Sequence, residues 1–178
     1  MNIQRLSPPQ ASAYRVLMLE AYAAHPDAFT SSVAERAALP LSWWEARLAD
    51  GPAPREVVLG ATDGASLLGV AGLSFEAREK ARHKATLFGM YVPAAMRGRG
   101  LGRGLAVHAL DYARARPGVR VVQLTVTSGN VAAQTLYERC GFVTFGIEPL
   151  AVAVDGGFVS KRHMWCDLRA AGESTRRT

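Results

Sequence analysis

Between Tyr14 and Ala23 the apolar positions Tyr14, Val16, Leu17, Leu19, Tyr22 and Ala23 recur at roughly helical spacing, so a helix is expected there. Pro8 and Pro9 introduce it after a short strand near Ile3. His25–Ser32, with Pro26 and Asp27, reads as a loop. A second short helix is expected over Ser42–Ala49, with Ser42 as N-cap and Glu45 three residues on, and Asp50, Gly51, Pro52 and Pro54 stop it.

The periodicity then changes. Val57–Ala61 and Ser66–Phe75 read as strands joined by the turn Thr62-Asp63-Gly64. The charged stretch from Glu76 to Lys84 reads as a solvated loop, and Ala85–Val92 is an apolar run of strand length stopped by Pro93. Leu101, Leu105, Ala109 and Tyr112 form one stripe of a helix from about Gly102 to Ala115, closed by Pro117 and Gly118. The β-branched run Val119–Val126 is a strand, and Thr127-Ser128-Gly129-Asn130 leads from it into a helix over Val131–Arg139 that Cys140-Gly141 ends. Phe142–Phe145, Ala151–Val154, the turn Asp155-Gly156-Gly157 and Phe158–Asp167 alternate like an antiparallel hairpin. Together these elements predict one mixed α/β domain over residues 1–168, followed by a polar tail, 169–178, expected to be disordered.

Composition narrows the class without choosing a function. The 178 residues are 49% hydrophobic and 20% charged, the balance of an ordinary globular chain. No run approaches the roughly 18 apolar residues of a membrane span, and the first ten residues have neither a basic nor an apolar leader region, so a cytoplasmic location is expected. The net charge of +6 favours anionic partners of any kind, including nucleic acid and phosphorylated cofactors. Cys140 and Cys166 stand alone, without the spacing of a zinc site, so no metal is expected and both read as reduced thiols.

The chemistry concentrates in Val92–Gly104, between a strand and a helix. Glycines there let backbone approach a ligand, and free N–H groups at a helix start favour phosphate oxygens, with Arg97, Arg99 and Arg103 adding positive charge. The dinucleotide fingerprint G-x-G-x-x-G fails in every register, and no Gly-Lys pair exists for a P-loop. What fits is R-x-x-G-x-G at Arg97, Gly100 and Gly102. Downstream, Asn130, Ala133, Leu136, Tyr137, Gly141 and Phe142 fill N-x-x-A-x-x-L-Y-x-x-x-G-F at every named position.

The two motifs together resemble those of the GNAT superfamily of N-acetyltransferases, and the likeness covers about residues 1–167. It implies a mixed, splayed central sheet of about six to seven strands flanked by about four helices. In such a fold the strands Ala85–Val92 and Val119–Val126 part to admit the pantetheine arm of acetyl-CoA, the expected co-substrate. Backbone of Met90, Tyr91 and Val92 would bond that arm, amides of Arg97, Gly98, Arg99, Gly100, Leu101 and Gly102 would hold the pyrophosphate, and Asn130 would both cap its helix and touch the arm. An amine would attack the thioester directly, a backbone N–H near Met90 would stabilise the oxyanion, and Tyr137 would supply the proton or hydrogen bond that the leaving thiolate needs. The family's glutamate on the fourth strand is replaced by Thr86, so the base is left among Glu76, His83 and water. The acceptor, a small-molecule or protein amine, is expected over Phe29, Thr30, Ser31, Trp43 and Trp44 and the hairpin near Glu148 and Asp155. A bacterial subgroup carries an acidic pair shortly before the equivalent of His163-Met164, whereas Val159-Ser160-Lys161-Arg162 stand here, which disfavours an acceptor read by those acids. Two other classes stay open at this point: an acyl-CoA-binding sensor without turnover, and a nucleic-acid-binding module using the Arg-Gly loop. Membrane binding is not expected; oligomeric state stays open, a dimer included.

Overall fold

The hydrophobic alternation resolves into one seven-stranded sheet in a computed structural model that describes residues 2–169. The tail from residue 170, expected to be disordered, lies outside the described residues. In chain order the elements are β1 (Asn2–Arg5), α1 (Ala11–Ala24), α2 (Val33–Ala37), α3 (Leu41–Arg47), β2 (Glu56–Asp63), β3 (Ser66–Phe75), β4 (Lys84–Tyr91), α4 (Leu101–Ala115), β5 (Val121–Thr127), α5 (Val131–Arg139), β6 (Val143–Val154) and β7 (Gly157–Asp167). Strand order is β1-β2-β3-β4-β5-β7-β6. Every neighbouring pair is antiparallel except β4 with β5, which the helical crossover α4 makes parallel. This is the mixed, splayed α/β sheet expected from the motifs, with five α-helices among the described residues rather than about four.

Each face of the sheet has its own apolar cluster. On one, α4 buries Leu101, Leu105, Ala109 and Ala113 against Val57, Ala71, Leu87, Val122 and Leu124. On the other, Tyr14 and Met18 of α1 and Trp44 of α3 pack on Val58, Val70 and Tyr91. Because α1 to α3 sit on the β2–β4 half, the same face of β5, β7 and β6 is left uncovered there: Val143 is 60% exposed, Phe145 56% and Trp165 37%. The register runs a cross-strand row along this face from Ser74 through Thr86, Gln123 and Trp165 to Val143.

Three local expectations are corrected. The capping box belongs to α2, where Glu35 N donates to Ser32 Oγ at 3.2 Å and Ser32 N to Glu35 Oε2 at 2.7 Å. Ser42 caps nothing, because Pro40 takes the N-cap position of α3 and leaves Ser42 inside the helix. Val16 is 68% exposed, since Tyr14, Leu17, Met18 and Ala21 set the buried phase of α1. The two short strands expected before the last turn are one twelve-residue β6, carried through two ladder irregularities, between Thr144 and Gly146 and between Glu148 and Val152. Accordingly Ser32→Ala should cost about 1 kcal/mol in urea unfolding while Ser42→Ala stays near neutral; equal effects would mean that the Ser32 cap does not form in solution.

Candidate active site

β4 and β5 are laddered only where Lys84, Ala85 and Thr86 meet Val121, Val122 and Gln123. Beyond that point the pairing ends, and a cavity of about 880 Å³ is lined by Met90 and Tyr91 of β4, by Val92 next to them, and by Asn130 and helix α5, which follow β5. A bulge helps to shape it: Val70 pairs with Tyr91 and Gly72 with Phe88, so Gly89 and Met90 together oppose Ala71. Gly89 takes the left-handed φ of +58° at this bulge.

The stretch from Pro93 into α4 forms the next wall. Gly98 and Gly100 have φ of +76° and +77°, and a Cβ on either would meet nothing within 4 Å. The backbone N–H groups of residues 98–103 find no acceptor among the described residues, the first partnered amide being Gly104, which donates to Gly100 O at 2.9 Å. Six successive free donors with the positive end of a fifteen-residue helix form an anion cradle. Gly102 and Gly104 serve packing instead, since a Cβ there would lie 2.8 Å from Leu136 Cδ1 and 2.9 Å from Ile3 Cδ1. Arg97 is tied down, its Nε donating to Val92 O at 3.0 Å and its Nη2 to His25 Nε2 at 2.8 Å.

Helix α5 closes the cavity. Asn130 caps it by accepting from Ala133 N at 3.1 Å and lines the cavity as well. Tyr137 is buried with its ring edge-on to Phe142, and its hydroxyl donates to Met90 Sδ at 3.5 Å. Burial pushes its phenol well above the usual tyrosine range, so it carries its proton throughout neutral pH.

Of the residues singled out in the sequence, Met90, Tyr91, Val92, Arg97, Gly98, Gly100, Leu101, Gly102, Asn130 and Tyr137 all line this one cavity. Arg99 lies outside the lining, as do Glu76 and His83. Glu76 sits before the start of β4, where the Arg78 guanidinium and backbone hydrogen bonds hold its carboxyl down to about 2, a poor setting for a base. Trp44 is core, as one of the adjacent pair had to be, while Trp43 lies between the guanidinium groups of Arg36 and Arg47. Phe29 lines the cavity, but His25 and Ala28 beside it are lining residues that the sequence did not single out.

Lys161 explains how that loop is held. Its buried Nζ donates to Ala28 O at 2.7 Å, Thr127 Oγ1 at 2.9 Å and Asp27 O at 3.1 Å, and the Thr127 hydroxyl donates to Asp27 O at 2.9 Å. Burial lowers its pKa from the ordinary lysine value. Lys161→Met leaves the Ala28 carbonyl without its donor and Asp27 O with Thr127 alone, and should cost about 2 kcal/mol in urea unfolding; an unchanged midpoint would show that the clamp contributes nothing in solution.

The family model for the acetyltransferase (GNAT) family matches residues 13–142. The chain is similar to the N-alpha-acetyltransferase RimI of Mycobacterium tuberculosis, 36% identical over 104 residues, which are 58% of this chain and 62% of that relative, less than two thirds of its length. Its fold is similar to an acetyltransferase of the GNAT family from Streptococcus pneumoniae, with a TM-score of 0.79, 25% identity and coverage of 92% of this chain and 97% of that one. It is similar also to yncA from Salmonella typhimurium, whose structure was solved with its cofactor acetyl-CoA, at a TM-score of 0.77, 25% identity and 94% of each chain.

Proposed function

The chain belongs to the acetyltransferase (GNAT) family, and from that premise we propose that it moves the acetyl group of acetyl-CoA directly to an amine in a ternary complex. The observation that carries this reading is the meeting, in one cavity, of the free amides of Gly98 and residues 100–103, the stretch 90–92 at the end of β4 beyond its last pair with β5, and the Tyr137 hydroxyl. The donor set fits the group. Pyrophosphate oxygens need N–H donors rather than a fixed cation, and Gly98 and Gly100 leave space for them where any side chain would intrude. The end of β4 at Met90 and Tyr91, and Val92 after it, would offer strand-like hydrogen bonds to the amides of a pantetheine arm, with Asn130 in the same lining. Acetyl-CoA supplies an activated thioester carbonyl.

The protein's own contributions follow from its atoms. A backbone N–H at the Gly89–Met90 bulge would stabilise the negative charge that develops on the carbonyl oxygen. Tyr137 hydrogen-bonds the departing sulfur, and it hands over its proton as it recovers one from the acylated nitrogen. Its raised pKa lies above that of an ordinary thiol, so outright donation without that return would run uphill. The soft sulfur of Met90 is its partner in the free protein. The scheme calls on no metal, and the cytoplasm is the location it is assigned.

The similarity to an N-alpha-acetyltransferase supports an α-amine, of a peptide or an amino-acid derivative, as the acceptor to test first. The experiment is a calorimetric titration of acetyl-CoA followed by mass spectrometry of α-amine substrates. Micromolar binding with acetylated product is the expected result. Binding without product across a broad amine panel would favour a sensor, and no binding would overturn the reading.

A further inference from the structure

An acceptor ammonium must shed a proton before it can attack, yet the described lining of the cavity holds no aspartate or glutamate, and its one imidazole, His25, already accepts from Arg97. A second imidazole lies just behind β5. His163 of β7 pairs with Thr125 of β5, and its Nε2 is 2.8 Å from Glu148 Oε2 on β6. With Nε2–H given to that carboxylate, Nδ1 keeps its lone pair, and it has no partner among the described residues. The pair is one-third exposed on the histidine side and half exposed on the glutamate side.

Neither His163 nor Glu148 lines the cavity, and their relation to it runs through β7 and β5. Lys161, two residues along the same face of β7 and so about 7 Å away, is bonded to the carbonyls of Asp27 and Ala28, and Ala28 and Phe29 line the cavity. Thr125 lies past the last β4–β5 pair, Thr86 with Gln123, so His163 stands at the level where that pairing has already ended. The face it occupies is the one that α1 to α3 leave uncovered. On that face the Phe145 ring lies edge-on to His163, with centroids 5.9 Å apart, and Trp165 and Val143 extend the apolar shelf.

We propose that His163, oriented by Glu148, is the base that deprotonates the acceptor, and that the acceptor is an α-amine whose neighbouring apolar or aromatic side chain lies on Phe145 and Trp165. This rests on the acetyl-transfer reading above. The ammonium gives one proton to His163 Nδ1, which passes it to solvent. The freed lone pair forms the C–N bond as the C–S bond breaks, and the nitrogen's second proton reaches the sulfur through Tyr137. The charged groups facing His163 are Glu148 from β6 and Lys161 on its own strand, while Thr125 of β5 carries none.

The test compares wild type, His163→Gln, His163→Gly and Glu148→Gln on phenylalaninamide, glycinamide and hydroxylamine, the last being unprotonated at neutral pH, with acetyl-CoA affinity measured for each protein. At pH 7, where about a tenth of an α-amine with a pKa near 8 is already free, His163→Gln should lose about 10-fold in kcat/KM on phenylalaninamide, less as the pH is raised, and little on hydroxylamine. Imidazole in solution should restore His163→Gly, Glu148→Gln should show a smaller loss, and acetyl-CoA affinity should not move. Phenylalaninamide should be preferred to glycinamide, and Phe145→Ser should erase the preference. Equal losses on phenylalaninamide and hydroxylamine, or an unaltered pH profile in His163→Gln, would overturn the base assignment. No preference between the two amides would overturn the acceptor class. A wild type that binds no acetyl-CoA would instead sink the transferase reading itself.

Discussion

Gly100→Leu should abolish measurable acetyl-CoA binding while leaving the fold intact. A Cβ at Gly100 meets nothing within 4 Å, so no core contact is lost, and the side chain enters the open space in front of the free amides. The left-handed φ of +77° adds about 1 kcal/mol of strain for a residue with a side chain. That small penalty acts on the fold, whereas the loss of phosphate contacts acts on the ligand. A rise in Kd of at least ~100-fold is expected, equivalent to ~2.7 kcal/mol at tenfold per ~1.4 kcal/mol. Gly102→Ala is the informative partner, because its Cβ would press on Leu136 at 2.8 Å and should lower stability through the α4–α5 contact. Calorimetry with parallel thermal unfolding separates the two. Unchanged affinity in a folded Gly100→Leu protein would show that the loop does not hold the cofactor.

The contrast between these two glycines marks what the sequence could and could not convey. Gly98, Gly100, Gly102 and Gly104 look alike in a string, and the family resemblance assigns the first three to the ligand. Only the backbone angles and the neighbours of a built Cβ separate the two that face open space from the two that let α4 pack closely, Gly102 on Leu136 of α5 and Gly104 on Ile3 of β1. The elements around the cavity were legible because local rules govern them: the β-branched run of β5, the Asn130 cap and the strand-to-helix glycines. The loop of His25, Ala28 and Phe29 was only partly legible, since what brings it to the cavity is Lys161, more than a hundred residues away. A lysine in an alternating strand reads as a solvated charge, and nothing near it in sequence announces three carbonyl and hydroxyl acceptors. The same holds for His163 and Glu148, which the bulged ladder of β6 brings together across strands. Ser42 misled for the converse reason: a capping pattern was present, but Pro40 had already taken the position.

Tyr137→Phe should lower kcat by about 100-fold with acetyl-CoA affinity unchanged. The ring stays, so packing against Phe142 and the cavity wall is retained, and the hydroxyl gives up only a contact with thioether sulfur, a weak acceptor. Stability should therefore move by less than about 1 kcal/mol. Affinity should hold because the cofactor's binding energy comes from amides elsewhere in the cavity, whereas the hydroxyl bonds a sulfur that becomes negative only as the thioester breaks. An interaction made in the transition state alone lowers kcat and kcat/KM together when it is removed. Because burial keeps the phenol protonated through the neutral range, its removal should lower the rate by a similar factor across pH 6 to 8 rather than reshape the profile. That uniformity distinguishes it from the loss expected on replacing His163, which should shrink as the pH rises. A Tyr137→Phe protein that turns over like wild type would reduce the tyrosine to a packing residue, and a loss confined to low or high pH would move the sulfur's proton to another group.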